Sequence, residues 1–138
     1  MNIKTYAILP QEAKDIRIEV FTKEQGFENE FDEIDTISHH IVAFDEGKPI
    51  GTCRFFKEND HFTIGRVAVL KEYRNQHIGI LLLESAENEI KKLNGNLIVV
   101  HAQVRIFPFY EKQGYIQFGQ SDDDEGVPHM WMKKRIQH

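Results

Sequence analysis

From residue 62 to residue 103 the chain reads as strand, long amphipathic helix and strand, and few folds accept that series. Gly79, Leu83, Ala86, Ile90 and Leu93 recur at steps of four, three, four and three, which places them on one helical face. Glu84, Glu87, Asn88, Lys91 and Lys92 cover the other side, with Glu87 and Lys91 at a favourable i,i+4 spacing. Asn94, Gly95 and Asn96 stop the helix. Leu97, Ile98, Val99 and Val100 then form an unbroken apolar run of strand length, the pattern of a strand buried on both faces. A helix crossing between two strands joins them in parallel, so 62–70 and 97–103 are expected to be parallel neighbours.

The flanking segments fit around that unit. Residues 2–7 suit a short strand, and Pro10 suits the first turn of a helix. Ala13, Ile16, Val20 and Phe21 share a helical face, with Gly26 as its stop. Strands are expected at 39–44, 50–56 and 62–70, and the short polar turns between them argue for an antiparallel meander. A short helix is expected near 107–113, ending at Gly114, and two last strands at 115–119 and 130–136 flank an acidic loop. No internal repeat or linker breaks the chain, so residues 1–138 read as one domain.

Apolar residues make up 41% and charged residues 28% of the 138, with ten Phe, which is a globular composition. No apolar stretch approaches the roughly 18 residues of a membrane span, and no signal-peptide pattern opens the chain, so the expected address is cytoplasmic. The single Cys53 excludes intrachain disulfides and multi-cysteine metal sites. The seven His show no metal-ligand spacing, and no metal is expected. Net charge is −5, the wrong sign for a nucleic-acid binder. The acid is concentrated: residues 27–35 hold five carboxylates and Asp122 to Glu125 four more. With those nine set aside, 13 acidic residues face 17 basic ones, so two acidic segments stand on a mildly basic frame.

The junction of the third meander strand with the long helix carries the chemistry. Helix N-termini have unpaired N–H groups and a positive dipole end, so the turn through Arg74, Asn75, Gln76, His77, Ile78, Gly79 and Ile80 suits phosphate oxygens. Arg74-x-x-His77-x-Gly79 resembles the Arg/Gln-x-x-Gly-x-Gly/Ala signature of GCN5-related N-acetyltransferases, the GNAT family. Phe109-Tyr110-x-x-x-Gly114-Tyr115 resembles that family's later Phe-Tyr-x-x-x-Gly-Phe/Tyr segment, about 30 residues on. His101-Ala102-Gln103, Pro108-Phe109-Tyr110 and Gly126-Val127-Pro128-His129 are similar to a bacterial ElaA-like subgroup.

The resemblance implies the GNAT fold, an α/β (α+β) domain whose mixed sheet of six to seven strands is flanked by about four helices around a βαβ cofactor-binding core. It implies transfer of an acyl group, with acetyl-CoA as co-substrate, to a primary amine. Backbone groups of Val67, Ala68 and Val69 would meet the pantetheine arm, residues 74–80 the pyrophosphate, and Gln103 the cofactor where relatives often have Asn. Tyr110 matches the tyrosine that protonates the leaving thiolate. The signature's first Gly is His77 here, expected in helical conformation with its N–H still available. The strand carboxylate that serves many relatives as base is missing at Thr63, Ile64, Gly65 and Arg66. Glu33, His101, His129 and a water relay remain as candidates. The acidic segments would border the acceptor side and favour a small cationic amine. A non-catalytic acyl-CoA-binding module is the alternative, and a homodimer stays open.

Overall fold

The computed structural model describes residues 1–28 and 31–137; Asn29, Glu30 and His138, and with Glu30 one carboxylate of the first acidic segment, lie outside the described residues. The strands are β1 (Asn2–Tyr6), β2 (His39–Asp45), β3 (Lys48–Glu58), β4 (His61–Val69), β5 (Leu97–Gln103), β6 (Ile116–Asp124) and β7 (Val127–Arg135). Among the described residues the α-helices are α1 (Gln11–Arg17), α2 (Ile78–Lys92) and α3 (Phe107–Lys112), in keeping with the expected count of about four. One seven-stranded sheet runs in the order β1-β2-β3-β4-β5-β7-β6. Among the described residues β4 and β5 pair in parallel, as the crossover demands, and the other strand pairs are antiparallel.

Strand alternation sorts the core into two layers. Ile41, Ala43, Ile64, Val100 and Met132 join the cluster under α2, while Val42, Phe44 and Ala68 join Ala13, Ile16 and Val20 of α1. Of the helical face read from the sequence, Leu83, Ala86 and Ile90 are at most 1% exposed, whereas Leu93, the cap beyond the end of α2, is 49% exposed.

Three local irregularities shape the site. Arg66 has φ +53°, and the β3–β4 register slips between Thr52 and Arg54, so β4 carries a bulge there. Its pairing with β5 ends at Ile64 opposite Val100, and beyond that point the two strands part. Next, α1 does not stop at Arg17 but widens into π-helical turns over Ile18–Glu24. Gly26, at φ +80°, ends it, with the Phe27 N–H returning to the Phe21 carbonyl at 2.9 Å. Pro10 is the cap preceding α1 rather than a first-turn residue. Third, the expected second acidic loop is largely strand. Glu125 and Gly126, both at positive φ (+50° and +81°), form a tight turn that lets β6 run on to Asp124.

Candidate active site

The parting of β4 and β5 opens a cleft of about 710 Å³, lined by Val67, Ala68, Val69, Arg74, Asn75 and His77 to Ile80, with Phe109 and Tyr110 opposite. The Leu70 N–H bonds to the Ile50 carbonyl at 2.9 Å. Alternation therefore turns the backbone groups of Val67 and Val69 away from β3, toward the cleft. At the cleft's end α2 begins without a side-chain cap and with no acidic residue in its first turn. The first intrahelical bond is Leu81 N–H to the His77 carbonyl at 3.1 Å, so the N–H groups of Ile78, Gly79 and Ile80 have no helical partner.

His77 departs from expectation. Its φ of +63° and ψ of +21° are left-handed, not helical, and Asn75 is left-handed too at φ +67°. This is the conformation that glycine adopts freely, and a β-carbon there costs about 1–2 kcal/mol. Reversing the chain from β4 into α2 over so few residues demands it.

Arg74 lines the cleft but is already held. Its guanidinium forms a two-pronged bridge to Glu24 at 2.6 and 2.7 Å, and its Nε donates to the Val69 carbonyl at 3.0 Å. Glu24 and Gln25, at the end of the π-helical turns, thus strap the two lips of the cleft. Gln25 accepts from the Gln103 amide at 2.9 Å on the β5 side, and Gln103 in turn accepts from Arg105 Nε at 3.0 Å. Gln103 lines a neighbouring cavity rather than the cleft itself. Sequence reasoning missed the strap, because its bonds span 50 and 78 residues.

That neighbouring cavity, about 110 Å³, lies between the end of the π-helical turns and the β6–β7 turn. It is lined by Phe21, Phe27, Gly65, Arg66, His101, Asp124, Glu125 and His129, and shares Gln25, Val67 and Tyr110 with the cleft. Tyr110 therefore stands at the junction of the two spaces. No partner lies within hydrogen-bond distance of its hydroxyl among the described residues, whereas the neighbouring Tyr115 hydroxyl donates to Glu87 at 2.8 Å. Burial pushes the Tyr110 phenol well above its ordinary value, so it keeps its proton at neutral pH. Burial also pushes the Cys53 thiol up to about 12, which removes it as a nucleophile.

The histidines separate by role. His101 Nε2 meets Asp122 at 2.6 Å, and its ring stacks on Trp131 at 4.2 Å. His129 packs beside it, ring centroids 4.8 Å apart. Glu33 is exposed in a 3₁₀ turn and belongs to the lining of neither space. Its neighbours Asp32 and Asp35 are spent on structure: Asp35 binds Arg17 at 2.8 Å and Arg54 at 2.9 Å, and Asp32 binds Arg54 at 2.7 Å and Arg66 at 3.3 Å. The two acidic segments do meet, where the Glu28 N–H donates to Glu125 at 3.0 Å. No group of acidic, His and Cys residues suited to a metal occurs among the described residues.

A mixed sheet split beside an uncapped helix N-terminus defines an α+β fold whose cleft suits an extended, anionic ligand. A family model described as an acetyltransferase (GNAT) domain matches residues 9–136. The Bacillus subtilis protein YjcF, named an uncharacterized N-acetyltransferase, is 34% identical over 122 residues, 86% of this chain and 87% of its own. A crystal structure from Lactobacillus plantarum, provisionally named an N-acetyltransferase, superposes with TM-score 0.89 at 30% identity over 97% of both chains. The chain belongs to the GNAT acetyltransferase family. Escherichia coli ElaA is 24% identical over 88% of this chain and 84% of its own. The fold is shared with ElaA's crystal structure (TM-score 0.86, 20% identity, 97% and 99% covered). It is also shared with an aminoglycoside 6'-N-acetyltransferase complexed with coenzyme A (TM-score 0.79, 17% identity, 98% and 97% covered).

Proposed function

We propose that the protein transfers an acetyl group from acetyl-CoA to a primary amine, with Tyr110 as the acid. One observation carries this: β4 backbone turned away from β3, the uncapped start of α2 and a protonated, unpartnered phenol meet in one cleft. The residues fit the co-substrate. N–H groups of 78–80 would hold the pyrophosphate, with the left-handed turn at 75 and 77 bringing backbone close. Backbone groups of Val67 and the Val69 N–H would pair with the pantetheine amides, as an added strand would, the Val69 carbonyl being held by Arg74. Bound there, the thioester supplies an electrophilic carbonyl and a thiolate leaving group. A β4 N–H polarises the carbonyl oxygen, and Tyr110 gives the thiolate its proton.

The smaller cavity would receive the amine. Asp124 and Glu125 line it, and Asp122 lies against His101 on the same side. With Asp32 and Asp35 neutralised by arginines, the attraction for a cation rests on the Asp122 to Glu125 hairpin rather than on both segments. A volume of about 110 Å³ suits one amine-bearing arm. Free-thiol release measured across an amine panel should favour small cationic amines, with rates that fall as salt rises. Preference for neutral or anionic acceptors would contradict the assignment.

A further inference from the structure

The hydrogen bonding of His129 fixes which of its nitrogens is basic. Its residue is 6% exposed, and its Nδ1 lies 2.8 Å from the Val127 carbonyl oxygen. A carbonyl oxygen only accepts, so Nδ1 carries the proton and the neutral ring keeps its lone pair on Nε2. Nε2 has no hydrogen-bond partner among the described residues, yet it is not among the buried side-chain atoms sealed from solvent. The ring lines the cavity that also contains Tyr110 and Val67.

We infer that His129 Nε2 is the base that deprotonates the acceptor ammonium, an assignment that rests on the acyl-transfer function proposed above. In that step one N–H bond of the ammonium breaks, its electron pair stays on nitrogen, and the proton becomes the Nε2–H of an imidazolium, which later yields it to solvent. A protonated amine has no lone pair for the thioester carbonyl, so the transfer needs this step.

The surroundings suit a base that becomes charged. Asp122 is the register partner of His129 across β6 and β7, and the two extra β6 residues between Phe118 and Asp122 set that pairing. Asp122 is engaged by His101, whose ring lies against His129. The other titratable groups facing the cavity are Asp124 on β6, Glu125 in the turn, Arg66 on β4 and Tyr110 on α3. Asp124 and Glu125 line the same cavity as the forming imidazolium, Asp122 is held by His101, and the Arg66 guanidinium is the opposing charge. Glu33, exposed and outside the cavity lining, has no comparable access.

His129→Asn tests the assignment, because the Asn amide can keep the bond to Val127 while removing the lone pair. The variant should bind acetyl-CoA like the parent and lose about 10²–10⁴-fold in kcat/KM at neutral pH. The deficit should narrow as rising pH deprotonates the amine in solution. Histidine nitrogen NMR of the ligand-free parent should show His129 as the neutral Nδ1–H tautomer. Parental kcat/KM and pH profile in His129→Asn, or an Nε2–H tautomer, would overturn the base alone. A parent that fails to bind acetyl-CoA would overturn the acyl-transfer function together with it.

Discussion

Tyr110→Phe should lower kcat by about 10²–10⁴-fold while leaving acetyl-CoA affinity unchanged, the signature of an interaction made only in the transition state. The substitution keeps the ring and its edge-to-face contacts with Phe109 (5.1 Å) and Tyr115 (5.6 Å), so packing is preserved. No native hydrogen bond is lost, because the hydroxyl has no protein partner among the described residues. Tyr115→Phe provides the contrast. Its hydroxyl is bound to Glu87, which also receives Lys134 at 3.2 Å, so that variant should lose stability and retain turnover. Steady-state kinetics beside acetyl-CoA titrations separates the two. Near-parental kcat in Tyr110→Phe would make the tyrosine a core residue.

Asp35→Ala should destabilise the fold by about 3–5 kcal/mol, the cost of removing a carboxylate shared by two buried cations. Arg17 is 1% exposed and Arg54 4%, and both depend on this carboxylate. Arg54 would keep its bridge to Asp32 at 2.7 Å, but its Nε already lacks a hydrogen-bond partner among the described residues. Burial alone would push the Asp35 carboxyl up, but Arg17 and Arg54 outweigh it and hold the group down to about 2. A depressed folded-state value means that this contribution is complete above the ordinary carboxyl range, near pH 4. It is lost as pH falls toward 2. Urea midpoints from pH 6 to pH 2 should decline over that window in the parent and decline less in Asp35→Ala. Exposed Glu33→Ala should change stability by no more than about 0.5 kcal/mol.

The central unit was legible because its signals are periodic. The α2 stripe and the apolar run at Leu97 to Val100 each state burial directly, and the crossover rule supplies their parallel pairing. The uncapped start of α2 was legible for a different reason: a strand, a polar turn and a helix leave unpaired N–H groups wherever they occur. What stayed hidden depends on contacts distant in sequence. Asp32 and Asp35 look like solvated charge until Arg17, Arg54 and Arg66 arrive from α1, β3 and β4. Arg74 looks like a free phosphate ligand until the π-helical turns bring Glu24 to it. The left-handed state of His77 was hidden as well: the resemblance marks a glycine position there, but the His itself gave no sign that the backbone keeps the glycine conformation. The sequence offered His129 only as one base candidate among several, and its bond to Val127, a matter of ring orientation, is what separates it from the others.

Calorimetric titration of acetyl-CoA into the parent and into Gly79→Glu tests the account most directly. A β-carbon at Gly79 would lie 3.4 Å from the Phe109 ring, on the cleft wall, and the longer Glu would carry bulk and negative charge to the pyrophosphate end. The parent should bind saturably. At 100 times the dissociation constant, the ligand should add about 2.7 kcal/mol to stability. Gly79→Glu should stay folded and lose that binding. No binding by the parent, or equal affinity in both proteins, would contradict a cofactor site at the start of α2.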